Sequence, residues 1–222
     1  MARFVCPQFS MDRPSNRDEG IASLRWIERL GRISHRSEDR QTVSSWERFI
    51  RNVVLEHGDW SIVEHAHAAV TFRVNRGVTH ELVRHRLFSY TQESTRFVNG
   101  RKSYPHGLEF VLPAMGIGPE SLENIRRACA SAENEYLDLL DAGVRPQEAR
   151  AVLPNALAST IAVTGNLRAW RHLLVMRTTK ETHPDFLQVT LPLLDEFRQK
   201  VPLLFDDIVP MASQAESMQL RR

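Results

Sequence analysis

The stretch Ala68-Ala69-Val70-Thr71-Phe72-Arg73-Val74 decides the fold class of this chain. Val70, Phe72 and Val74 alternate with Thr71 and Arg73, the two-residue period of a strand that buries one face and leaves the other wet. A lone strand leaves its N–H and C=O groups unpaired, so at least one partner strand is required. Residues 159–164, short and rich in β-branched side chains, are the other extended candidate. Helical periodicity occupies most of what remains, so the expected class is α+β and helix-rich.

Working outward, Ile21, Leu24, Ile27 and Leu30 recur every three residues over 19–32, as on a helix face. Ser37, with Glu38 and Asp39 behind it, reads as the N-cap of a second helix. Its stripe of Val43, Trp46, Phe49, Ile50 and Val53 runs to about residue 57. After the strand, Asn75-Arg76-Gly77 turns the chain into a short helix over about 78–87, and 89–98 reads as irregular or extended. The clearest helix spans 120–142 and is ended by Gly143. Pro146 opens a short helix as its first residue, and further helices are expected over about 167–178 and 184–200. No internal repeat, low-complexity tract or linker interrupts the 222 residues. One domain over 1–222 is expected, with residues 1–16 loosely ordered.

With 42% apolar and 25% charged residues the composition is that of an ordinary globular protein. No run approaches the roughly 18 apolar residues that cross a membrane, and Met1 to Arg13 lacks the apolar core of a signal peptide. A cytoplasmic protein with no membrane partner is expected. Cys6 and Cys129 are too few for a disulfide framework or a zinc ribbon. A net charge of +2 argues against a protein that coats nucleic acid. All but three of the 29 basic side chains are arginine. Its planar fork suits phosphate, although genomic base composition accounts for most of such a bias.

The densest polar constellation is Glu81-Leu82-Val83-Arg84-His85-Arg86, followed by Ser89, Gln92, Ser94 and Arg96. Arginines beside hydroxyls and uncommitted backbone amides make a site for phosphate or another multivalent anion. The same string also reads as a solvated basic helix face with Glu81 paired to Arg84. His57, His65 and His67 lie near Glu64 but complete no metal-ligand motif, and Glu64 and His65 fit equally well as the lead-in to the strand. Arg177 shares a helical stripe with Trp170, Leu173 and Leu174. An arginine there either snorkels from the helix C-terminus or points into a ligand cleft. Arg168 and His172 lie one turn apart on another face, and Asn166 is a fitting N-cap. Cys129 falls on an apolar stripe and Cys6 precedes Pro7, so neither is set up as a nucleophile. No serine sits in a nucleophile elbow.

Arg84-His85-Arg86, seven residues and then Ser94 resemble the RHR-x7-S hallmark of the flavin-dependent thymidylate synthases. Other segments agree in order. Ser61 to His65 is similar to that family's S-x-x-E-H, and Arg150-Ala151-Val152-Leu153-Pro154 to its R-x-x-L-P. Asn166-x-Arg168 with Arg177 resembles its N-x-R helix and terminal arginine. The resemblance covers roughly residues 32–205. It implies a helix-rich α+β subunit with a small antiparallel sheet, in a homotetramer whose active sites form where subunits meet. It implies FAD as cofactor, NADPH as reductant, methylenetetrahydrofolate as carbon donor and dUMP as substrate, with dTMP formed without a cysteine nucleophile. By position, Ser34, Ser61, Glu64, Arg84, His85, Arg86, Asn166, Arg168 and His172 would surround FAD. Glu81, Gln92, Ser94, Arg96, Arg150 and Arg177 would surround dUMP, with Ser94 and Arg177 the catalytic candidates and no metal ligand among them. Asp59 stands where many members carry histidine, His172 where asparagine is common, and Thr91-Gln92 where some carry Asn-Glu.

Two further classes stay open on the residues alone. One is a flavin- or nucleotide-binding module without synthase activity, and the other a metal-dependent hydrolase built on His57, His65 and His67.

Overall fold

The alternating stretch around Val70 becomes an inner strand of a four-stranded antiparallel sheet. The computed structural model describes residues 2–114 and 117–211. The chain starts with strands β1 (Arg3–Phe4) and β2 (Gln8–Arg13), then helix α1 (Arg17–Ile33). Helix α2 (Ser45–Phe49) widens into a π-helical stretch, Ile50–Glu56, and a 3-10 stretch, Trp60–His65, leads into β3 (His67–Asn75). Next come α3 (Arg76–Leu82), β4 (Phe88–Gln92), α4 (Gly100–Ser103) and β5 (Glu109–Phe110). The chain continues through α5 (Pro119–Asp141), α6 (Pro146–Ala149), β6 (Ala158–Asn166), α7 (Leu167–Arg177) and α8 (Pro184–Lys200).

The sheet order is β2-β3-β6-β4, all antiparallel, and β1 pairs with β5 in a separate parallel pair. β3 and β6 pair along their whole length, from His67 opposite Asn166 to Asn75 opposite Ala158. One sheet face carries Val70, Phe72, Val74, Ile161 and Val163 into the main core, where α7 and α8 contribute Trp170, Leu173, Leu174, Leu193 and Phe197. Trp170 is the hub. Its indole N–H donates to the Ala68 carbonyl at 3.0 Å, and its ring meets Phe88 edge-on at 4.8 Å and Phe197 at 5.4 Å. The other sheet face leaves Ser89, Thr91, Ala162 and Thr164 exposed. A second core gathers Leu108, Phe110, Cys129, Tyr136, Ala149 and Leu157 between α5 and the β5 region.

The expectation that residues 1–16 are loosely ordered is corrected. β2 lies along β3 with Phe9 opposite Phe72, and Met11 is buried in the main core. The alternation of Phe9 and Met11 with Gln8, Ser10 and Asp12 is the period-two signal of that strand. Nor does Ser37 open the second helix. It precedes only a 3-10 turn, Glu38–Arg40, without a side-chain cap. The helix starts at Ser45, where Thr42 N–H donates to Ser45 Oγ and Ser45 N–H to Thr42 Oγ1, a reciprocal pair that fixes the first turn. The helix expected over 78–87 stops at Leu82, and the segment after it, read as irregular or extended, holds strand β4. No helix among the described residues is long and apolar enough to cross a membrane.

Where α1 crosses the end of α8, a Cβ on Gly20 would overlap the Lys200 carbonyl oxygen, a backbone atom that cannot swing aside. Overpacking of this kind costs about 1–3 kcal/mol. Gly20→Ala is therefore expected to lower the thermal midpoint by about 3–10 °C, measured by circular dichroism. An unchanged midpoint would show that the two helices can separate freely there.

Candidate active site

Two strands that run in opposite directions each end in an asparagine that starts a helix. Asn75 Oδ1 accepts the Val78 N–H at 2.9 Å and caps α3, and Asn166 Oδ1 accepts the Ala169 N–H at 2.8 Å and caps α7. The helices start from opposite ends of the β3–β6 pair, and α7 runs back over the core face until Arg177, its last residue, meets the end of α3. There Arg177 Nε donates to His85 Nε2 at 3.0 Å and Nη1 to Glu81 at 3.2 Å. The guanidinium lies 5.5 Å from the Phe186 ring centre. Nη2 makes no hydrogen bond among the described residues, so one fork of the arginine is left for a ligand. Glu81 thus serves Arg177, not Arg84 as the helix-face reading had it.

His85 can hold Arg177 only as a neutral imidazole with its proton on Nδ1. Burial, and then the positive charges of Arg177 and His172, push its pKa down to about 4. Its backbone is held too. Tyr90 Oη lies 2.6 Å from both the Leu82 and His85 carbonyl oxygens and shares its proton between them, beside the His85 N–H that the Leu82 carbonyl also accepts at 3.0 Å. Burial keeps that phenol protonated, with a pKa near 12.

Beyond β4 the chain turns at Ser94, whose carbonyl accepts from the Phe97 and Val98 N–H groups while its Oγ accepts from the Arg96 N–H at 3.2 Å. Arg96 Nε donates to Gln147 Oε1 at 3.2 Å, and Arg150 donates to the Gln147 carbonyl and to Thr95 Oγ1, also at 3.2 Å each. Both guanidinium groups are exposed and bonded only to neutral acceptors, which a phosphate outcompetes. Gln92 donates to Thr79 Oγ1 at 3.0 Å and to Ser159 Oγ at 3.1 Å. Its amide is thereby oriented with the oxygen uncommitted.

Arg84 and Arg86 lie on the turn past α3, exposed, with side chains that make no ion pair or hydrogen bond among the described residues. On α7, Arg168 pairs with Glu64 at 2.6 Å, and His172 is exposed. Ser61 is exposed on the 3-10 stretch, and Ser34 Oγ only closes α1 onto the Gly31 carbonyl. Neither serine is hydrogen-bonded to another candidate among the described residues. There, too, no three His, Cys, Asp or Glu residues group to hold a metal ion. Cys129 packs in the second core, where burial raises its thiol pKa, and Cys6 is exposed. Tyr90, Thr79, Ser159, Thr95, Gln147 and Phe186 hold the site but were not singled out from the sequence. For Tyr90 a signal existed, the alternation of Phe88 and Tyr90 with Ser89 and Thr91.

An α+β frame that sets uncommitted arginines around a half-buried arginine–imidazole pair presents the donors that an anionic ligand needs. Comparison with known proteins makes that class specific. Residues 20–203 match the family Thy1, described as thymidylate synthase complementing protein. A flavin-dependent thymidylate synthase of Corynebacterium aurimucosum is 36% identical over 210 residues, covering 86% of this chain and 82% of that one. One of Mycobacteroides abscessus is 33% identical over 221 residues, covering 92% and 85%. The fold matches the crystal structure of a UMP/dUMP methylase, PolB, from Streptomyces cacaoi bound with 5-Br dUMP, with a TM-score of 0.75, 21% identity and coverage of 92% and 95%. The chain belongs to the flavin-dependent thymidylate synthase family.

The depressed His85 pKa fixes the sign of a pH effect. Between pH 6.5 and about 4 the unfolded chain takes up a proton that the folded chain refuses. The contribution of His85 to stability is therefore fully present above pH 6.5 and is lost as pH falls to about 4. Proton-detected titration of the imidazole is expected to show it neutral at pH 5.5. A midpoint near 6.5 would contradict the Arg177–His85 hydrogen bond.

Proposed function

We propose that this chain catalyses the FAD-dependent reductive methylation of dUMP to dTMP, with methylenetetrahydrofolate as carbon donor and NADPH as reductant. The observation that carries this reading is the Arg177 guanidinium, locked by neutral His85 and Glu81 with one fork uncommitted, beside unpaired Arg84 and Arg86. Unpaired guanidinium groups on an exposed turn are the donor set that a dinucleotide diphosphate requires. Arg84, His85, Arg86, Asn166, Arg168 and His172, with Glu64, Ser61 and Ser34, would hold FAD, which supplies the hydride when bound. Glu81, Gln92, Ser94, Arg96 and Arg150 would hold dUMP, with the phosphate drawn to Arg96 and Arg150 at the Ser94 turn. The free fork of Arg177 would face the uracil and stabilise the negative charge on the ring that makes C5 nucleophilic toward the methylene. Cys129, packed in the other core as a protonated thiol, has no part in this chemistry.

The same reading takes the chain as one domain acting in the cytoplasm, within a homotetramer whose subunits share active sites. Ser34 and Ser61, which join none of the other candidates within one chain, fit a site completed across subunits.

Substitution separates the two halves of the site. Arg96→Ala or Arg150→Ala is expected to weaken dUMP binding by about 2–5 kcal/mol with flavin retained. Arg84→Ala should mainly lose FAD, read from flavin absorbance per subunit after gel filtration. Equal loss of both ligands in all three variants would contradict the division. Cys129→Ala should keep dTMP formation at near wild-type kcat, and inactivation of a folded Cys129→Ala protein would overturn the cysteine-free route.

A further inference from the structure

The first turn of α8 touches the site from two sides. Asp185 is buried, and both of its carboxylate oxygens are taken: Oδ2 by Asn75 Nδ2 at 2.7 Å and Oδ1 by the Ala114 N–H at 2.7 Å. It makes no ion pair among the described residues, and its charge is met by these two donors and by the start of the α8 dipole. Asn75 is itself buried, and its other amide atom caps α3. A continuous hydrogen-bonded line therefore runs from α8 through Asp185 and Asn75 into the helix that carries Glu81. One residue on, the Phe186 ring lies beside the Arg177 guanidinium, and Thr190 Oγ1 donates to the Arg177 carbonyl at 2.7 Å. The same helix thus holds both Arg177 and the helix of its partner Glu81.

We infer that Asp185 is a positioning residue for the substrate half of the site, fixing the rotation of α3 through Asn75 and hence the Glu81–Arg177 contact. The inference rests on the functional reading above. Tyr90 pins the far end of α3 at the Leu82 and His85 carbonyls. With the Asn75 link cut, α3 keeps the Arg76 N–H on the Asn155 and Leu157 carbonyls and the Gln92–Thr79 bond, but it loses its tie to α8, so a turn about its own axis relative to the helix that holds Arg177 is no longer opposed from that side. Side-chain tips lie about 5–6 Å from a helix axis, so a turn of about 20° moves the Glu81 carboxylate by about 2 Å. A contact of 3.2 Å does not survive that shift. Arg84 and Arg86 lie beyond the pin and keep their place. Loss of the link therefore acts on dUMP and spares flavin.

The link can be cut and rebuilt in the flavin-loaded protein. Asp185→Asn sets an amide N–H against either Asn75 Nδ2 or the Ala114 N–H, donor to donor, so the Asn75 link is either broken or reduced from a charge-assisted to a neutral hydrogen bond beside a new donor–donor clash. Asn75→Asp sets two carboxylates face to face. The double exchange, Asn75→Asp with Asp185→Asn, restores every bond with the roles reversed: the new carboxylate at 75 caps α3 and accepts from the new amide at 185, whose oxygen accepts from Ala114. Steady-state dTMP formation is measured over a range of dUMP concentrations, with flavin content and melting temperature read on the same samples. Asp185→Asn is expected to lower kcat/KM for dUMP at least tenfold with flavin per subunit unchanged, and the double exchange to recover it to within about threefold. If Asp185→Asn does not fold, Asn75→Ser, which keeps a cap but drops the amide, carries the same expectation. An active wild type whose variants keep kcat/KM, or lose flavin and dUMP affinity together in step with melting temperature, overturns the inference alone. A wild type that makes no dTMP overturns the functional reading and the inference with it.

Discussion

The full-length antiparallel pairing of β3 with β6 is the constraint on which the rest depends. Because His67 faces Asn166 and Asn75 faces Ala158, the helices that follow these strands start about 30 Å apart, at opposite ends of the pair. α7, with eleven residues, spans about 16 Å and covers roughly half of that distance. It is drawn along the sheet by Trp170, whose indole N–H reaches back to β3 and whose ring is enclosed by Phe72, Phe88 and Phe197. Arg177 then emerges at the rim of the core beside the turn that leaves α3. Two segments separated by more than ninety residues are thus brought to a hydrogen bond of 3.0 Å by strand register and one buried tryptophan.

Electrostatics turns that meeting into a site. An arginine at the edge of a core must be satisfied or solvated. Here Glu81 balances its charge, His85 accepts a second bond and Phe186 covers a flank. Arg177 in turn helps to keep His85 neutral, since a protonated imidazole has no lone pair to offer at Nε2. The pair is self-consistent only in one protonation state, which leaves a fixed cationic fork at neutral pH. The arginines of the Ser94 turn differ, being exposed and held by neutral groups that release them to an incoming anion. One half of the site is prearranged and the other is adaptable.

What the sequence revealed follows the range of the forces concerned. Long periodic elements such as α5 and α8, the alternating core of β3, the turn at Asn75 and the cap Asn166 rest on local rules, and their residue types state them. The end of α3 is not local, because Tyr90 on β4 takes its carbonyls, so the helix seemed to continue through Arg84-His85-Arg86. β2 carries a period-two alternation, but over six residues with one buried side chain that signal is short, and the strand is fixed only by lying on β3. At the site, the oddity of Arg177 on its stripe was legible as a choice between snorkelling and ligand binding. Its partner could not be read, because i, i+3 spacing offered Arg84 to Glu81 and only the tertiary fold offers Arg177. The RHR-x7-S string carried the family, while Asp185, Gln147 and Thr95 are visible only as contacts.

The central claim is that this arrangement couples a bound flavin to methylation of dUMP. It is tested most directly without oxygen, by reducing the purified protein's flavin with NADPH, adding dUMP and methylenetetrahydrofolate, and following flavin absorbance together with dTMP by chromatography. The account predicts one dTMP formed for each flavin reoxidised. Flavin that is reduced but stays reduced, with no dTMP formed, would contradict it and leave a flavin-binding module in place of an enzyme.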